Sequence, residues 1–181
     1  MARQEARLSS KASDDCHRRT SFLTSRTPDG LRHGEGNSLT KSIATASINR
    51  ETAVALIDAA IAAARTIGIP AAVAVVDATG NLRAFERTDD APFLTVDVAI
   101  DKAWSSASFG YPTHVWNDYV SNDPKVAPLA YRPRMVAVGG GYPILEDGKL
   151  IGGIGISGGN YQQDQDACVE ALTKIGFELP A

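Results

Sequence analysis

A turn made by Glu146-Asp147-Gly148, set between two apolar segments, constrains the fold of this chain more than any other sequence feature. An Asp-Gly pair in such a position is a strong signal for a β-hairpin, because both residues accept the backbone conformation of a tight turn. Residues 142–145 and 149–157 are therefore predicted to be neighbouring antiparallel strands. On the second strand, the glycines and the serine of Gly153-Ile154-Gly155-Ile156-Ser157 share one face. That face is nearly bare, so a helix, a ligand or a second subunit can approach it closely.

Apolar periodicity and turn residues predict the remaining elements. Asn49 is predicted to cap a helix that ends at Gly68, and Asn160 with Gln163 forms a capping-box pattern at the start of the last helix. Further helices are predicted from Pro92 to Gly110 and from Thr113 to about Val120, and further strands over 71–76, 82–87 and 135–138. The resulting order is α-β-β-α-α-β-β-β-α. Because hairpins dominate and no βαβ alternation occurs, the sequence predicts an α+β fold, with a mostly antiparallel five-stranded sheet and helices packed against it.

The first 46 residues differ from the rest of the chain in composition. They carry eight Lys/Arg and five Asp/Glu, a net charge of +3. The rest of the chain carries ten Lys/Arg and sixteen Asp/Glu, a net charge of −6. With one aromatic residue and no apolar period, residues 1–46 are predicted to be a disordered leader, and residues 47–181 one folded domain. Arg18-Arg19 before Phe22-Leu23 is similar to a twin-arginine export signal. Because the apolar h-region of a signal peptide is missing, a cytoplasmic location is predicted.

Charge and motif context exclude several functional classes. The net charge of −3 does not indicate the basic surface that nucleic-acid binding needs, so nucleic acid is not an expected partner. No apolar run approaches the roughly 20 residues of a membrane span, so a membrane is not an expected partner either. Residues 153–158 satisfy G-x-G-x-x-G, but the 23 residues that follow leave no room for a βαβ unit, so no nucleotide cofactor is expected. Ser157 fits G-x-S-x-G, yet no histidine follows it, which excludes an α/β-hydrolase. With three histidines and no His/Cys cluster, a structural zinc site is not expected either.

Several segments together resemble one known family. They are Val73–Leu82, Ala84–Asp89, Ala99–Ala103, Pro112-Thr113, Gly139–Ile144, Asp147–Lys149, Ile151–Gly159 and Asp164. In this order and spacing, over residues 48–178, they resemble the GlcG/HbpS-like family, a haem-binding or haem-degrading domain that also occurs at the C-terminus of PduO-type cobalamin adenosyltransferases. The resemblance implies a profilin-like fold, in which a five-stranded antiparallel sheet lies between helices in α/β/α layers. It also implies a homo-oligomer that binds a small-molecule ligand, with haem as the expected cofactor.

A haem site needs apolar walls, a cation for the propionates and an axial donor to the iron. The predicted wall residues are Phe85, Trp104, Phe109 and Tyr111, and the predicted propionate-binding residues are Arg87 and Lys102. His114 is the first candidate for the iron ligand, and Tyr111 is the second. Thr113, Gly140, Gly141, Ser157, Gly158 and Gly159 complete the predicted ligand-binding set.

Two other functions stay open at this point. An enzyme acting on a small organic acid would use Lys102 or Tyr111 for acid–base chemistry, and the backbone N–H groups of 139–141 and 157–159 as a carboxylate cradle. Asp164, near the same helix start, would oppose an anion bound there. Alternatively, the chain is a non-catalytic oligomeric accessory or sensor protein whose glycine-rich strand face is a subunit contact. The sequence leaves the physiological ligand and the number of subunits open.

Overall fold

The computed structural model describes residues 41–180. Its helices are α1 (Arg50–Ile67), α2 (Leu94–Phe109), α3 (Thr113–Asn122) and α4 (Tyr161–Ile175), and its strands are β1 (Ala72–Asp77), β2 (Leu82–Arg87), β3 (Gly141–Glu146) and β4 (Lys149–Ser157). A short 3₁₀ helix, Ala127–Tyr131, follows α3. Most of the predicted leader, residues 1–40, lies outside the described residues. Residues 41–46 are exposed and belong to no helix or strand.

The strands form one antiparallel sheet in the order β2-β1-β4-β3. β1 pairs with β2 on one side and with β4 on the other, and β4 pairs with β3. The turn between β3 and β4 holds Asp147 at φ 50° and Gly148 at φ 71°. Glycine and aspartate are among the residues that tolerate this left-handed region best, so the Asp-Gly pair allows the chain to reverse here. The predicted hairpin and the mostly antiparallel sheet are confirmed.

The predicted strand over Met135–Val138 is wrong: within residues 41–180 the sheet has four strands, not five. The backbone groups of this segment bond to helix side chains instead of to a neighbouring strand. The N–H of Val136 donates to Ser105 Oγ at 2.9 Å, and Asn117 Nδ2 donates to the carbonyl of Ala137 at 2.6 Å. The segment is only half-buried, with Val138 exposed, and these two hydrogen-bond partners come from α2 and α3.

Helices cover both faces of the sheet, in agreement with the predicted α/β/α layers. α1 and α4 pack on one face, where Val73 and Val75 of β1 belong to the larger apolar core. α2 packs on the other face, against Ala72, Ala74 and Val76. β1 is buried along almost its whole length, which confirms the prediction from its uninterrupted apolar sequence.

The predicted cap residues of α1 and α4 are confirmed, whereas α2 begins at Leu94, two residues after the predicted Pro92, and α3 ends at Asn122, two residues after Val120. The Asn49 side chain accepts the N–H of Thr52 at 2.8 Å, and Gly68 ends α1 in the left-handed conformation. Asn160 and Gln163 form a complete capping box at the start of α4. No helix within residues 41–180 is both long and apolar enough to span a bilayer.

The glycine-rich face of β4 is covered by α2 of the same chain. A Cβ atom at Gly153 would collide with the carbonyl oxygen of Ala103, and one at Gly155 would collide with the carbonyl oxygen of Ala99. Glycine is required at both positions because the helix backbone lies directly against the strand. Of the three occupants that the sequence allowed for this face, the structure places a helix there.

Candidate functional site

An aromatic groove lies where α2 ends and α3 begins. Gly110, at φ 68°, ends α2, and Pro112 precedes the first turn of α3. A cavity of about 300 Å³ opens at this corner, lined by Tyr111, Val115, Trp116 and Tyr119. We call these four residues the aromatic groove. None of them carries a charge at neutral pH, so the groove suits an apolar, flat ligand.

Trp116 is the centre of the ring contacts in the groove. Its indole stacks on Phe109 of α2, with ring centroids 4.3 Å apart and an interplanar angle of 14°. The ring of Tyr119 also contacts it, with the centroids 5.4 Å apart. Trp116 is 9% exposed, whereas Tyr111 and Tyr119 are 57% and 51% exposed. The groove therefore combines a buried indole with two half-exposed phenols.

Two buried polar atoms of α3 lack hydrogen-bond partners within the described residues. They are Nε1 of Trp116 and Nδ1 of His114. Buried polar atoms are nearly always paired, and leaving one unpaired costs about 1–3 kcal/mol. Within the described residues, α3 therefore carries two buried polar atoms that protein groups leave unpaired, which makes it a candidate binding element.

His114, the first predicted iron ligand, does not line the groove. Its imidazole faces the ring of Tyr142 on β3, with centroids 5.7 Å apart and planes tilted by 47°. Burial, and to a lesser degree the neighbouring Cys168, raise the pKa of Tyr142 to about 12. His114 therefore lies beside a neutral phenol of the core, and its buried Nδ1 has no partner there.

Thr113 fixes the start of α3 to the sheet. Its Oγ1 accepts the backbone N–H of Gly141 at 2.9 Å, and the residue is fully buried. Gly141 has no room for a side chain, because a Cβ atom would lie 2.7 Å from Cγ2 of Thr113. The two residues thus hold α3 against the edge of β3. They position the aromatic groove and do not line it.

Lys102 lies in the core between α2, β4 and α4, where it is 2% exposed. Its ammonium group bonds to Asp164 Oδ2 at 2.7 Å and to the carbonyl of Ile156 at 2.9 Å. Burial raises the pKa of Asp164, while the Lys102 ammonium and the N–H of Gly159 act in the opposite direction. The sequence placed Lys102 at the margin of the apolar face of α2, near a cleft; the structure instead pairs it with a carboxylate of its own chain.

The predicted carboxylate cradle is filled by the protein itself. The N–H of Gly159 donates to Asp164 Oδ1 at 2.9 Å, and the N–H of Gly141 donates to Thr113. The carbonyl of Gly140 accepts the N–H of Ile156 at 2.8 Å. Around this corner Ser157 is buried and Gly158 lies against the backbone of Pro70. Asp164 was expected to repel a bound anion; it is in fact the carboxylate that the glycine backbone binds.

Arg87 and Phe85 lie on β2, at the edge of the sheet opposite to β3. Because α3 is fixed to β3, strands β1 and β4 separate these two residues from the aromatic groove. Trp104 on α2 lies under the guanidinium of Arg134, 4.8 Å from the ring centroid. Of the predicted wall residues, only Phe109 and Tyr111 come together at the groove.

The comparisons with known proteins agree with this fold and its sequence pattern. The family model described as haem degrading protein HbpS-like matches residues 48–173. This chain belongs to the HbpS-like family. An uncharacterised 15.0 kDa protein from the dhaT-dhaS intergenic region of Citrobacter freundii is 33% identical over 136 residues, which are 74% of this chain and 96% of that protein.

Two further proteins similar to this HbpS-like chain are a corrinoid adenosyltransferase and a protein solved as a haem complex. The corrinoid adenosyltransferase PduO of Salmonella typhimurium is 35% identical over 119 residues, or 65% of this chain. The match spans only 35% of that enzyme, so the chain corresponds to about a third of it. The crystal structure of the PduOC–haem complex is 31% identical, with a TM-score of 0.67, and the match covers 75% of this chain and 99% of that one.

Sequence reasoning missed three residues of the groove in this HbpS-like protein. Val115, Trp116 and Tyr119 lie within one turn of each other on α3, at spacings that place them on one side of a helix. That spacing was a usable signal, since α3 was predicted at the correct place. The ring stack between Trp116 and Phe109 was not readable, because it depends on how α2 and α3 meet. Within residues 41–180, no group of three or more His, Cys, Asp or Glu side chains is placed to hold a metal ion.

Proposed function

We propose that this HbpS-like protein binds haem against its aromatic groove and handles haem as a homo-oligomer. The observation that carries the proposal is the likeness to the PduOC–haem complex over almost the whole of that chain. The family description, which names haem degradation, supports the same ligand class. The groove adds what the ligand needs from this particular chain, namely an uncharged aromatic wall.

The groove fits one side of a haem. A porphyrin is a flat apolar disc, and the groove is lined by the indole of Trp116 and the phenol rings of Tyr111 and Tyr119. Its volume of about 300 Å³ is at the lower limit of the roughly 300–1,000 Å³ that is usual for ligand pockets. One protomer therefore covers only part of the disc. A second copy of the chain covering the remainder is the reason that we include a homo-oligomer in the proposal.

Tyr111 is our first candidate for the iron ligand. It lines the groove and is 57% exposed, and tyrosine is one of the side chains that hold haem iron in proteins. His114 is the second candidate, because its ring faces Tyr142 instead of the groove. A ligating histidine usually has its other ring nitrogen oriented by a hydrogen bond, and Nδ1 of His114 has no such partner within the described residues. Bound haem would supply a redox-active iron at this surface.

The haem propionates are expected to stay in water at the open side of the groove. The two cations predicted to bind them do not reach it, since Lys102 is paired in the core and Arg87 lies on the far edge strand. Solvated carboxylates need no ion pair, so an open site agrees with this arrangement. An enzyme for a small organic acid is less well supported, because Asp164 and Thr113 already accept two of the backbone N–H groups of its cradle, those of Gly159 and Gly141.

Titration with hemin tests the proposal. We expect a shift of the Soret band in the wild-type protein and an affinity that falls by about tenfold or more in Tyr111→Phe, which keeps the ring but removes the oxygen ligand. Tyr131→Phe is the matched control, because Tyr131 is 88% exposed and does not line the groove. No spectral shift in the wild type would overturn the haem proposal. Unchanged binding by Tyr111→Phe together with loss in His114→Ala would reverse the order of the two iron ligands.

A further inference from the structure

We propose that Trp116 and Tyr119 form a one-electron relay, which carries an oxidising equivalent from the buried part of the aromatic groove to the protein surface. The two rings are 5.4 Å apart, close enough for direct electron transfer between them. Trp116 is the buried end of the pair and Tyr119 the exposed end, at 9% and 51% exposure. The pair therefore has a direction, from the inside of the groove to solvent.

The surroundings of Trp116 favour forming a radical cation and passing it on. An oxidised indole becomes trapped when it loses its Nε1 proton to a nearby base. The Nε1 of Trp116 is buried and has no acceptor within the described residues, so no side chain or carbonyl of this part of the chain is placed to take the proton. The stacked ring of Phe109, 4.3 Å away, spreads and stabilises the positive charge without being oxidised itself. The oxidised state thus stays a cation that can take an electron from a neighbouring ring.

Tyr119 is suited to end the relay because its ring is half exposed. A phenol gives up an electron easily only when it also loses its hydroxyl proton, and water can accept that proton at an exposed side chain. One electron moves from Tyr119 to the Trp116 radical cation, and one proton moves from the phenol to water. Trp116 returns to its neutral state, and Tyr119 becomes a neutral phenoxyl radical.

The oxidant that starts the relay is a one-electron acceptor held in the groove, and here the inference rests on the proposed function. The proposed acceptor is a bound haem that has been oxidised by hydrogen peroxide. Reduction of one hydrogen peroxide to two waters takes up two electrons and two protons. Each Tyr119 supplies one electron and one proton, so the relays of two protomers of the proposed homo-oligomer together balance one peroxide and leave one phenoxyl radical in each. The relay would protect the bound ligand by moving the oxidising equivalent away from it.

Pulse radiolysis of the full-length protein without haem tests the relay itself. Azide radicals oxidise tryptophan selectively, and the chain has two tryptophans, so Trp104→Phe is used as the background in which Trp116 is the single indole. We expect the indole radical to decay at the rate at which a phenoxyl radical grows, independently of protein concentration. Tyr119→Phe should slow this transfer by about tenfold or more.

Tyr131→Phe is the matched control in the same background. Tyr131 is an exposed tyrosine outside the groove, and among the described residues Trp116 makes its ring contacts with Phe109 and Tyr119. Its substitution should leave the transfer rate unchanged. An unchanged rate in Tyr119→Phe, or an equal loss in Tyr131→Phe, would overturn the relay. Thermal melts of each variant verify that the fold is kept.

A second arm separates the relay from the haem proposal. Addition of hydrogen peroxide to the hemin-loaded protein should give a tyrosyl radical by electron paramagnetic resonance that is lost in Tyr119→Phe. If radiolysis shows the transfer but the loaded protein gives no Tyr119 radical, the relay stands and the haem proposal for the groove fails. If hemin binds and the transfer is absent in radiolysis, the relay fails and haem binding stands.

Discussion

The corner around Lys102 and the surface of α3 were both predicted to take part in ligand binding, and the structure resolves them in opposite ways. At the corner, the buried carboxylate of Asp164 accepts hydrogen bonds from Lys102 and from the N–H of Gly159. On α3, the buried nitrogens of His114 and Trp116 have no partner within the described residues, and aromatic rings are exposed beside them. The charged corner holds the fold together, while the uncharged groove is left available for a ligand.

The presence of polar residue types therefore does not by itself locate a binding site. A buried charge that is already paired with an opposite charge and hydrogen-bonded has no free group left to bind a ligand. The useful observation is a buried polar atom without a partner next to exposed apolar surface. By that standard, substitutions at the corner should affect stability, and substitutions in the groove should affect ligand binding. The following four changes test this division, beginning with the largest expected effect.

Lys102→Met should be the most damaging. It keeps the length of the side chain but leaves the Asp164 carboxylate buried without its ammonium partner, which costs about 3–5 kcal/mol in the free energy of unfolding. Urea unfolding monitored by circular dichroism measures the loss. Burial raises the pKa of Asp164, so this carboxyl becomes protonated, and therefore neutral, as the pH falls. The destabilisation of Lys102→Met relative to the wild type should then become smaller at low pH.

Two further variants make the Lys102 result decisive. Lys149→Met removes an exposed lysine of the β3–β4 hairpin and should change stability by less than about 0.5 kcal/mol. The double variant Lys102→Met with Asp164→Leu removes both charges and should recover most of the loss, since an apolar pair can replace a buried ion pair. If the single variant is as stable as the wild type, Lys102 is not part of the core and its proposed role at a cleft returns.

Gly155→Ala should have the next largest effect. The added Cβ would collide with the carbonyl oxygen of Ala99, and a helix backbone cannot move aside as a flexible side chain can. We expect a loss of about 3 kcal/mol in the free energy of unfolding of the protomer, measured by denaturant titration. A stable protomer that merely dissociates from an oligomer would instead mean that the glycine-rich face is a subunit contact, as one of the sequence hypotheses held.

The fold was predictable from sequence wherever the deciding signal was local. The Asp147-Gly148 turn, the cap at Asn49 and the uninterrupted apolar β1 each specify their own conformation through nearby residues. Met135–Val138 failed because its backbone donors and acceptors are satisfied by Ser105 and Asn117, far away in sequence. A strand needs a neighbouring strand, and the residues of the segment itself do not say whether one is available.

The candidate site was less predictable for the same physical reason. Lys102 and Asp164 are 62 residues apart in sequence, and the residues around each of them do not indicate that the two charges form a pair. Tyr111 and Phe109 were selected for their aromatic rings, and both lie at the groove. His114 was selected for its chemistry alone, and its orientation toward Tyr142 follows from how α3 meets β3. Residue type identified candidates, whereas the packing of α2, α3 and β3 determined which of them face a common space.

Tyr142 offers a test at high pH on the core side of α3. Burial raises its pKa from the ordinary 10.0 to about 12, so the folded state holds the phenol proton more tightly than the unfolded state does. The stabilisation is fully present below pH 10 and is lost as the pH rises toward 12, by about 2 kcal/mol. Tyr142→Phe should remove this part of the pH dependence, whereas Tyr131→Phe, at an exposed position, should retain it. An identical alkaline profile in wild type and Tyr142→Phe would contradict the burial of this hydroxyl.

Tyr111→Ala should have the smallest effect on stability and therefore separates the two regions most cleanly. More than half of the side chain is exposed, and its removal breaks no hydrogen bond recorded for the described residues, so we expect a change within about 0.5 kcal/mol. Hemin affinity, measured in the same buffer, should nevertheless fall more than in Lys149→Met. A groove residue that alters binding but not unfolding is what a surface kept for a ligand requires. A loss of stability comparable to that of Gly155→Ala would mean that Tyr111 belongs to the core, and the division between a self-satisfied corner and an available groove would no longer hold.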